Sequence, residues 1–201
     1  MSIMKIAVAS GNAHKIQEIR QILGALGIEV LGADELGGMP EVIENGATFR
    51  ENAAKKAVEG AAALGVPVLA DDSGLEVKAL NGAPGVYSAR YAGEGGNDGR
   101  NLAKVLKELE GVADRSARFV CVMVMAAPDG SILGTWEGEV QGAMADAPRG
   151  TGGFGYDPAF IPAGYDRTFG ELSSEIKNSM SHRGNALKAL VADWKKLEGK
   201  I

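Results

Sequence analysis

Two adjacent carboxylates, Asp71 and Asp72, follow the apolar run Pro67–Ala70 and precede Ser73-Gly74. Neighbouring acids repel each other and are costly to desolvate together, and a divalent cation resolves both problems. Mg2+ suits such a place: it prefers oxygen donors, keeps several waters and sits on one or two carboxylates plus substrate phosphates. Glu44, 28 residues before Asp72 in an irregular acidic segment with Glu41, is the candidate second ligand. The competing reading is a polar turn, because Asp, Ser and Gly are ordinary turn residues. Placement at the end of a strand, where α/β sheets collect ligands, favours chemistry.

Three other segments have residue types suited to a ligand. Ser10-Gly11-Asn12-Ala13-His14-Lys15 joins an apolar run to a helical pattern. A helix start exposes unpaired N–H groups and partial positive charge, which suits phosphate. Lys15 lies where the helix dipole disfavours a cation unless an anion compensates. The alternative is a tight turn with Ser10 or Asn12 as the cap and with His14 and Lys15 solvated. The segment is not a P-loop, since G-x-x-x-x-G-K-[ST] is absent. Gly150-Thr151-Gly152-Gly153-Phe154-Gly155-Tyr156-Asp157 has four glycines in its first six residues. Phe154 there is either a stacking surface for a base or a core residue at a hairpin tip. Lys177 with Ser181-His182-Arg183-Gly184 offers donors for a carbonyl or phosphate, against a plain surface or capping role for His182. Two histidines and one cysteine argue against zinc, and Cys121 within an apolar run argues against a catalytic thiol.

These segments need elements to position them. Met4–Ala9 reads as a buried strand, and Ile16, Ile19, Ile22, Leu23 and Leu26 mark a helix over 13–26. Ile28–Leu31 is a candidate second strand. Thr48 and Glu51 form a T-x-x-E start for a helix whose apolar face is Phe49, Ala53, Ala57, Ala61 and Leu64. Pro67–Ala70 reads as a strand ending at the acidic pair, with Leu75–Leu80 as a second one. A glycine-rich loop spans Gly82–Gly99, and Leu102, Val105, Leu106 and Leu109 mark a further helix. Phe119–Ala127 is the strongest strand signal, turning at Pro128-Asp129-Gly130 into Ser131–Gln141. A last helix is expected over 181–197. Alternating strands and helices plus a hairpin give an α/β fold with a mixed sheet.

Composition bounds the rest. With 201 residues, 45% hydrophobic and 23% charged, the chain is expected to be one domain over 1–201 with a core that needs no disulfide. Its 29 glycines are about twice the usual share. Twenty-six acids against 21 bases, with no Lys/Arg run longer than two, speak against a nucleic-acid partner but leave room for a free nucleotide. No stretch approaches the ~20 apolar residues of a membrane span. The expected setting is the cytoplasm, with no membrane partner.

As a set, the segments resemble the inosine triphosphate pyrophosphatase family, hydrolases of non-standard purine nucleoside triphosphates. The resemblance rests on six motifs in the family's order, spread over nearly the whole chain: SGNAHKIQEI (10–19), ENGATFRENAAKKA (44–57), LADDSGLEV (69–77), GAPGVYSARYAG (82–93), GTGGFGYDPAF (150–160) and SHRGNAL (181–187). Ile176, where a charged residue is usual, and Met180 are small departures. The resemblance implies an elongated mixed sheet flanked by helices, two lobes with a central cleft, a homodimer and Mg2+ dependence. It implies cleavage of ITP, dITP and XTP to the monophosphate and pyrophosphate. Asp72 is implied as general base and, with Glu44, metal ligand. Ser10, Gly11, Asn12, Ala13, His14, Lys15 and Lys56 are implied for the phosphates. Ser73, Phe154, Gly155, Tyr156, Asp157, Lys177, His182 and Arg183 are implied to line the substrate site, the last two reading a 6-oxo group. The rivals are a phosphohydrolase releasing orthophosphate and a nucleotide-binding module without turnover.

Overall fold

The computed structural model describes residues 4–200. Strand β1 (Met4–Val8) leads into helix α1 (Ala13–Gly24), β2 (Ile28–Gly32) and α2 (Phe49–Leu64). Then come β3 (Val68–Val77), α3 (Asp98–Glu108), β4 (Ser116–Ala126), β5 (Ile132–Met144) and β6 (Phe160–Pro162). Helices α4 (Ser174–Met180), α5 (His182–Ala192) and α6 (Trp194–Leu197) close the chain. The sheet order is β2-β1-β3-β4-β5-β6. β1 runs parallel to β2 (Ile6 opposite Val30) and to β3 (Val8 opposite Leu69), whereas β5 and β6 are antiparallel. The fold is therefore α/β with a mixed sheet, as the alternation of patterns predicts.

The chain forms two compact units. The first comprises the chain up to Asp72, Cys121–Gly138 and everything from Arg183 onward; the second comprises Ser73–Val120 and Glu139–His182. Each has its own apolar core. In the first, Ile6, Val8, Ile19, Leu23, Leu69, Met123, Met125, Leu187 and Leu190 are buried together. In the second, Leu75, Val77, Leu102, Val105, Leu109, Phe119, Phe160 and Phe169 are. Each fully buried aliphatic side chain favours folding by about 1.5–3 kcal/mol.

Three expectations need correction. Asp71-Asp72-Ser73-Gly74 is not a turn: β3 runs unbroken from Val68 to Val77, and Lys78–Leu80 is a 3-10 helix instead of a second strand. A strand can carry the acidic pair because each carboxylate finds buried partners on its own face. The helix expected over 181–197 is broken between α5 and α6 at Asp193. There the Asp193 carboxylate accepts from the Trp136 indole N–H (3.1 Å) and the Lys196 ammonium (2.6 Å). Finally, Gly82–Gly99 is not all loop, because Gly85–Arg90 is a 3-10 helix and α3 begins at Asp98.

Candidate active site

The first unit assembles its charged cluster from three helices and a strand. Asn12 caps α1, its Oδ1 accepting from the backbone N–H groups of His14 (3.0 Å) and Lys15 (3.3 Å). Ser10 Oγ in turn accepts from the Asn12 N–H (3.1 Å). The helix start is thus satisfied by its own side chains, and Gly11, Ala13 and His14 are exposed around it. Lys15 points its ammonium to Asp71 Oδ2 (3.3 Å). The compensating anion that its position on the dipole calls for is therefore a protein carboxylate.

Successive strand residues face opposite sides, so Asp71 and Asp72 enter different surroundings. Asp71 is only 1% exposed and accepts from Arg183 Nη2 (3.1 Å) and Nε (3.4 Å) as well as pairing with Lys15. Arg183, equally buried, also donates to Glu18 on α1. Burial works to raise the Asp71 pKa, but Lys15, Arg183 and Lys56 outweigh it and hold the carboxyl well below its usual range. Asp72 accepts from Asn52 Nδ2 (3.1 Å) on α2. Burial, assisted by the charge of Glu44, pushes its pKa up against the opposing pull of Lys56, Lys15 and Asn52. Adjacent acids thus have opposite shifts. Asp71 is a fixed charge, and Asp72 is a better proton acceptor than an ordinary aspartate.

Lys56, also on α2, pairs with Glu44 Oε1 (3.0 Å). Burial would lower its pKa, but Asp71, Glu44 and Asp72 together keep the ammonium charged above its ordinary range. Four carboxylates (Glu18, Glu44, Asp71, Asp72) meet three cations (Lys15, Lys56, Arg183). Of the two adjacent aspartates, Asp72 is the one whose pKa is raised overall, with burial the largest cause. Among the described residues, no group of three His, Cys, Asp or Glu converges as a metal cage. Glu44 and Asp72 offer oxygen donors of the kind that a hard divalent cation takes beside water and phosphate.

The second unit builds a separate group around Asp157. This carboxylate, 3% exposed, accepts from the Phe154 N–H (2.9 Å) and from Lys177 Nζ (2.6 Å). The Lys177 ammonium lies 5.0 Å from the Phe154 ring centroid. Gly153 must lack a side chain, since a Cβ there would lie 2.1 Å from Asp157 Oδ2 and the backbone has φ +68°. Tyr156 is buried with its hydroxyl on the Ser88 carbonyl (2.6 Å), and the Gly155 N–H donates to Asp98 at the start of α3 (2.9 Å). The His182 ring stacks on Phe119 at 4.7 Å with 13° between planes. Ser73, also in this unit, is half-buried on β3.

The Ham1 family model matches residues 6–193. The chain belongs to the Ham1 family. It is 53% identical over 191 residues to a dITP/XTP pyrophosphatase of Desulfotalea psychrophila, covering 95% of this chain and 85% of the relative. It is 48% identical over 199 residues to one of Geobacter sulfurreducens, covering 96% and 99%. Among solved structures it resembles the Staphylococcus aureus Ham1 protein, with TM-score 0.83, 46% identity and coverage of 98% and 100%. A nucleoside-triphosphatase, dITP/XTP pyrophosphatase of Mycobacterium abscessus matches with TM-score 0.74 and 44% identity, covering 94% and 99%.

Against this Ham1 background, the residues expected at a site fall into the two groups just described. Ser10–Lys15, Glu44, Lys56, Asp72 and Arg183 belong to the first unit, and Ser73, Phe154–Asp157, Lys177 and His182 to the second. Arg183 differs most from expectation, because all three of its guanidinium nitrogens engage Asp71 or Glu18. Sequence reasoning passed over Glu18, Asn52 and Asp98. The acid Glu18 has a signal in the sequence, since it follows Lys15 by three residues and so shares a face of α1 with it. Asn52 and Asp98 look like ordinary polar residues of a helix start, and nothing in their spacing marks them.

Proposed function

We propose that the chain hydrolyses non-standard purine nucleoside triphosphates (dITP, ITP and XTP) to the monophosphate and pyrophosphate, so removing them from the nucleotide pool. The observation that carries the chemistry is Asp72: buried, raised in pKa and flanked by Lys15, Lys56 and Glu44. The relatives' names supply the substrate class.

Asp72 accepts the proton of a water as that water's oxygen bonds to the α-phosphorus. The bond from the α-phosphorus to the bridging oxygen breaks, and pyrophosphate leaves with the electron pair. A base works best with its pKa near the operating pH, and burial moves Asp72 in that direction. Lys15 and Lys56 stabilise negative charge developing on the transferring and leaving phosphates, as fixed cations in a partly dry site do. Backbone N–H groups at the start of α1 join them when Asn12 Oδ1 gives way to a phosphate oxygen. Glu44 and Asp72 are the residues that would hold Mg2+, which when bound supplies charge neutralisation on the triphosphate. Phe154 stacks on the base, with Gly155 and Tyr156 shaping its turn and Lys177 and Asp157 fixing it. His182 donates to the 6-oxo group, and Arg183 adds a donor by exchanging a carboxylate contact for the base. An adenine 6-amino group would leave such donors facing a donor, a mismatch worth up to about 10⁴-fold.

The same reading has the chain act as a homodimer in the cytoplasm, where nucleotide pools are made and used. A panel of ITP, dITP, XTP, GTP and ATP with Mg2+, read as pyrophosphate release, tests it. Rapid pyrophosphate release from the first three supports the proposal. Orthophosphate as first product would point to a γ-phosphatase, and absence of turnover to a binding module.

A further inference from the structure

Asn52, the fourth residue of α2, is 1% exposed and uses both ends of its side-chain amide. Its Oδ1 accepts from the Gly46 N–H (2.8 Å), two residues beyond Glu44, and its Nδ2 donates to Asp72 Oδ2 (3.1 Å). One amide therefore touches the loop that carries one acid and the side chain of the other. The loop fits closely at that point: a Cβ on Gly46 would lie 2.7 Å from Asn52 Oδ1 and 2.8 Å from Glu51 Cβ. Neighbouring contacts fasten the same loop to α2. Lys55 Nζ donates to the Ile43 carbonyl (2.7 Å) and Asn45 Oδ1 (3.2 Å), and Glu51 Oε2 accepts from the Ala47 N–H (2.7 Å). These fix the backbone around Glu44, and Asn52 also reaches Asp72.

We infer that Asn52 is a positioning residue that sets Glu44 and Asp72 in register as one divalent-cation site. An aspartate here would keep the acceptor for Gly46 but set a third carboxylate against Asp72, and an aliphatic residue would satisfy neither neighbour. A short amide offers a donor and an acceptor on one planar group. The inference rests on the reading of Glu44 and Asp72 as the metal ligands. Partners of this kind, which orient ligands without touching the ion, are worth about 10–100-fold in metal affinity.

The test is Mn2+ binding without nucleotide, followed by electron paramagnetic resonance of the free ion, on the parent, Asn52→Ala, Gly46→Ala and the double variant. Thermal unfolding in EDTA runs alongside. Both single variants should weaken Mn2+ by about tenfold or more. The double variant should be little weaker than the worse single one, because both break the same link. Saturating Mg2+ should restore most of the turnover of Asn52→Ala, as it should not for Asp72→Asn. Gly46→Ala keeps the amide and carries the test should Asn52→Ala not fold. Unchanged Mn2+ affinity in folded Asn52→Ala or Gly46→Ala overturns the inference. Glu44→Gln and Asp72→Asn serve as controls: if they bind Mn2+ like the parent, the ligand reading itself fails and takes the inference with it. If they lose Mn2+ while Asn52→Ala does not, only the role of Asn52 is refuted.

Discussion

Replacing Asp71 and Asp72 in turn by asparagine should produce opposite defects, although the residues are adjacent and the substitutions alike. Asp71 is 1% exposed, with Lys15 at 3.3 Å and Arg183 at 3.1 Å on one carboxylate oxygen. Asp71→Asn leaves the buried Arg183 and the half-buried Lys15 with one acid fewer, and breaking a buried pair from one side costs about 3–5 kcal/mol. At about 2–4 °C per kcal/mol for a chain of this size, the Tm should fall by roughly 6–20 °C. Asp72 differs in sign. Its folded pKa lies above the unfolded value, so its ionisation at neutral pH opposes folding, and any stability linked to it is full at low pH and lost as pH rises. Asp72→Asn should therefore leave the Tm unchanged or slightly higher while turnover on ITP falls by at least ~10³, about 4 kcal/mol of barrier. Calorimetry in EDTA and a pyrophosphate-release assay at saturating Mg2+ measure the two effects. Equal loss of Tm in both variants, or full stability in Asp71→Asn, would refute the division of roles between the two faces of β3.

Further outcomes follow from the same geometry. In EDTA, without the cation, the Asp72 carboxyl should titrate above the range of an unperturbed aspartate, which carboxyl ¹³C NMR measures; a titration in the ordinary carboxylate range contradicts this. Acid unfolding should behave oppositely at Asp71, whose contribution is complete above the usual carboxylate range and lost only as pH falls through its lowered pKa. The Asp71→Asn variant should therefore lose the parent's dependence on pH in that window. Phe154→Ala should raise KM for ITP about tenfold, the worth of one stacked base, with Tm unaltered. EDTA should abolish turnover without unfolding the protein, which circular dichroism checks.

Much of the fold was legible because local chemistry announced it. Thr48 caps α2 by accepting from the Glu51 N–H (3.1 Å), as the T-x-x-E spacing predicts. Glu51 answers at the Ala47 N–H instead of the cap's own, a one-residue variation that spacing cannot reveal. The residue pattern ends the strand at the acidic pair, whereas β3 runs on through it to Val77. What lets β3 continue through it is a set of partners, Asn52, Lys15 and Arg183, from 20, 56 and 112 residues away. Helix α4 escaped notice because its seven residues, SEIKNSM, include only two apolar side chains that could mark a face. Arg183 shows the same limit at the site. Its residue type suggests a donor for a base, while its engagement with Asp71 and Glu18 depends on α1, β3 and α5 meeting in three dimensions.

Hydrolysis of ITP in water enriched in ¹⁸O, with products resolved by mass spectrometry, addresses the reaction itself. Water activated at Asp72 and directed to the α-phosphorus places the label in inosine monophosphate and leaves the pyrophosphate unlabelled. Label in the pyrophosphate, or in released orthophosphate, would mean that the attack falls elsewhere on the chain of phosphates.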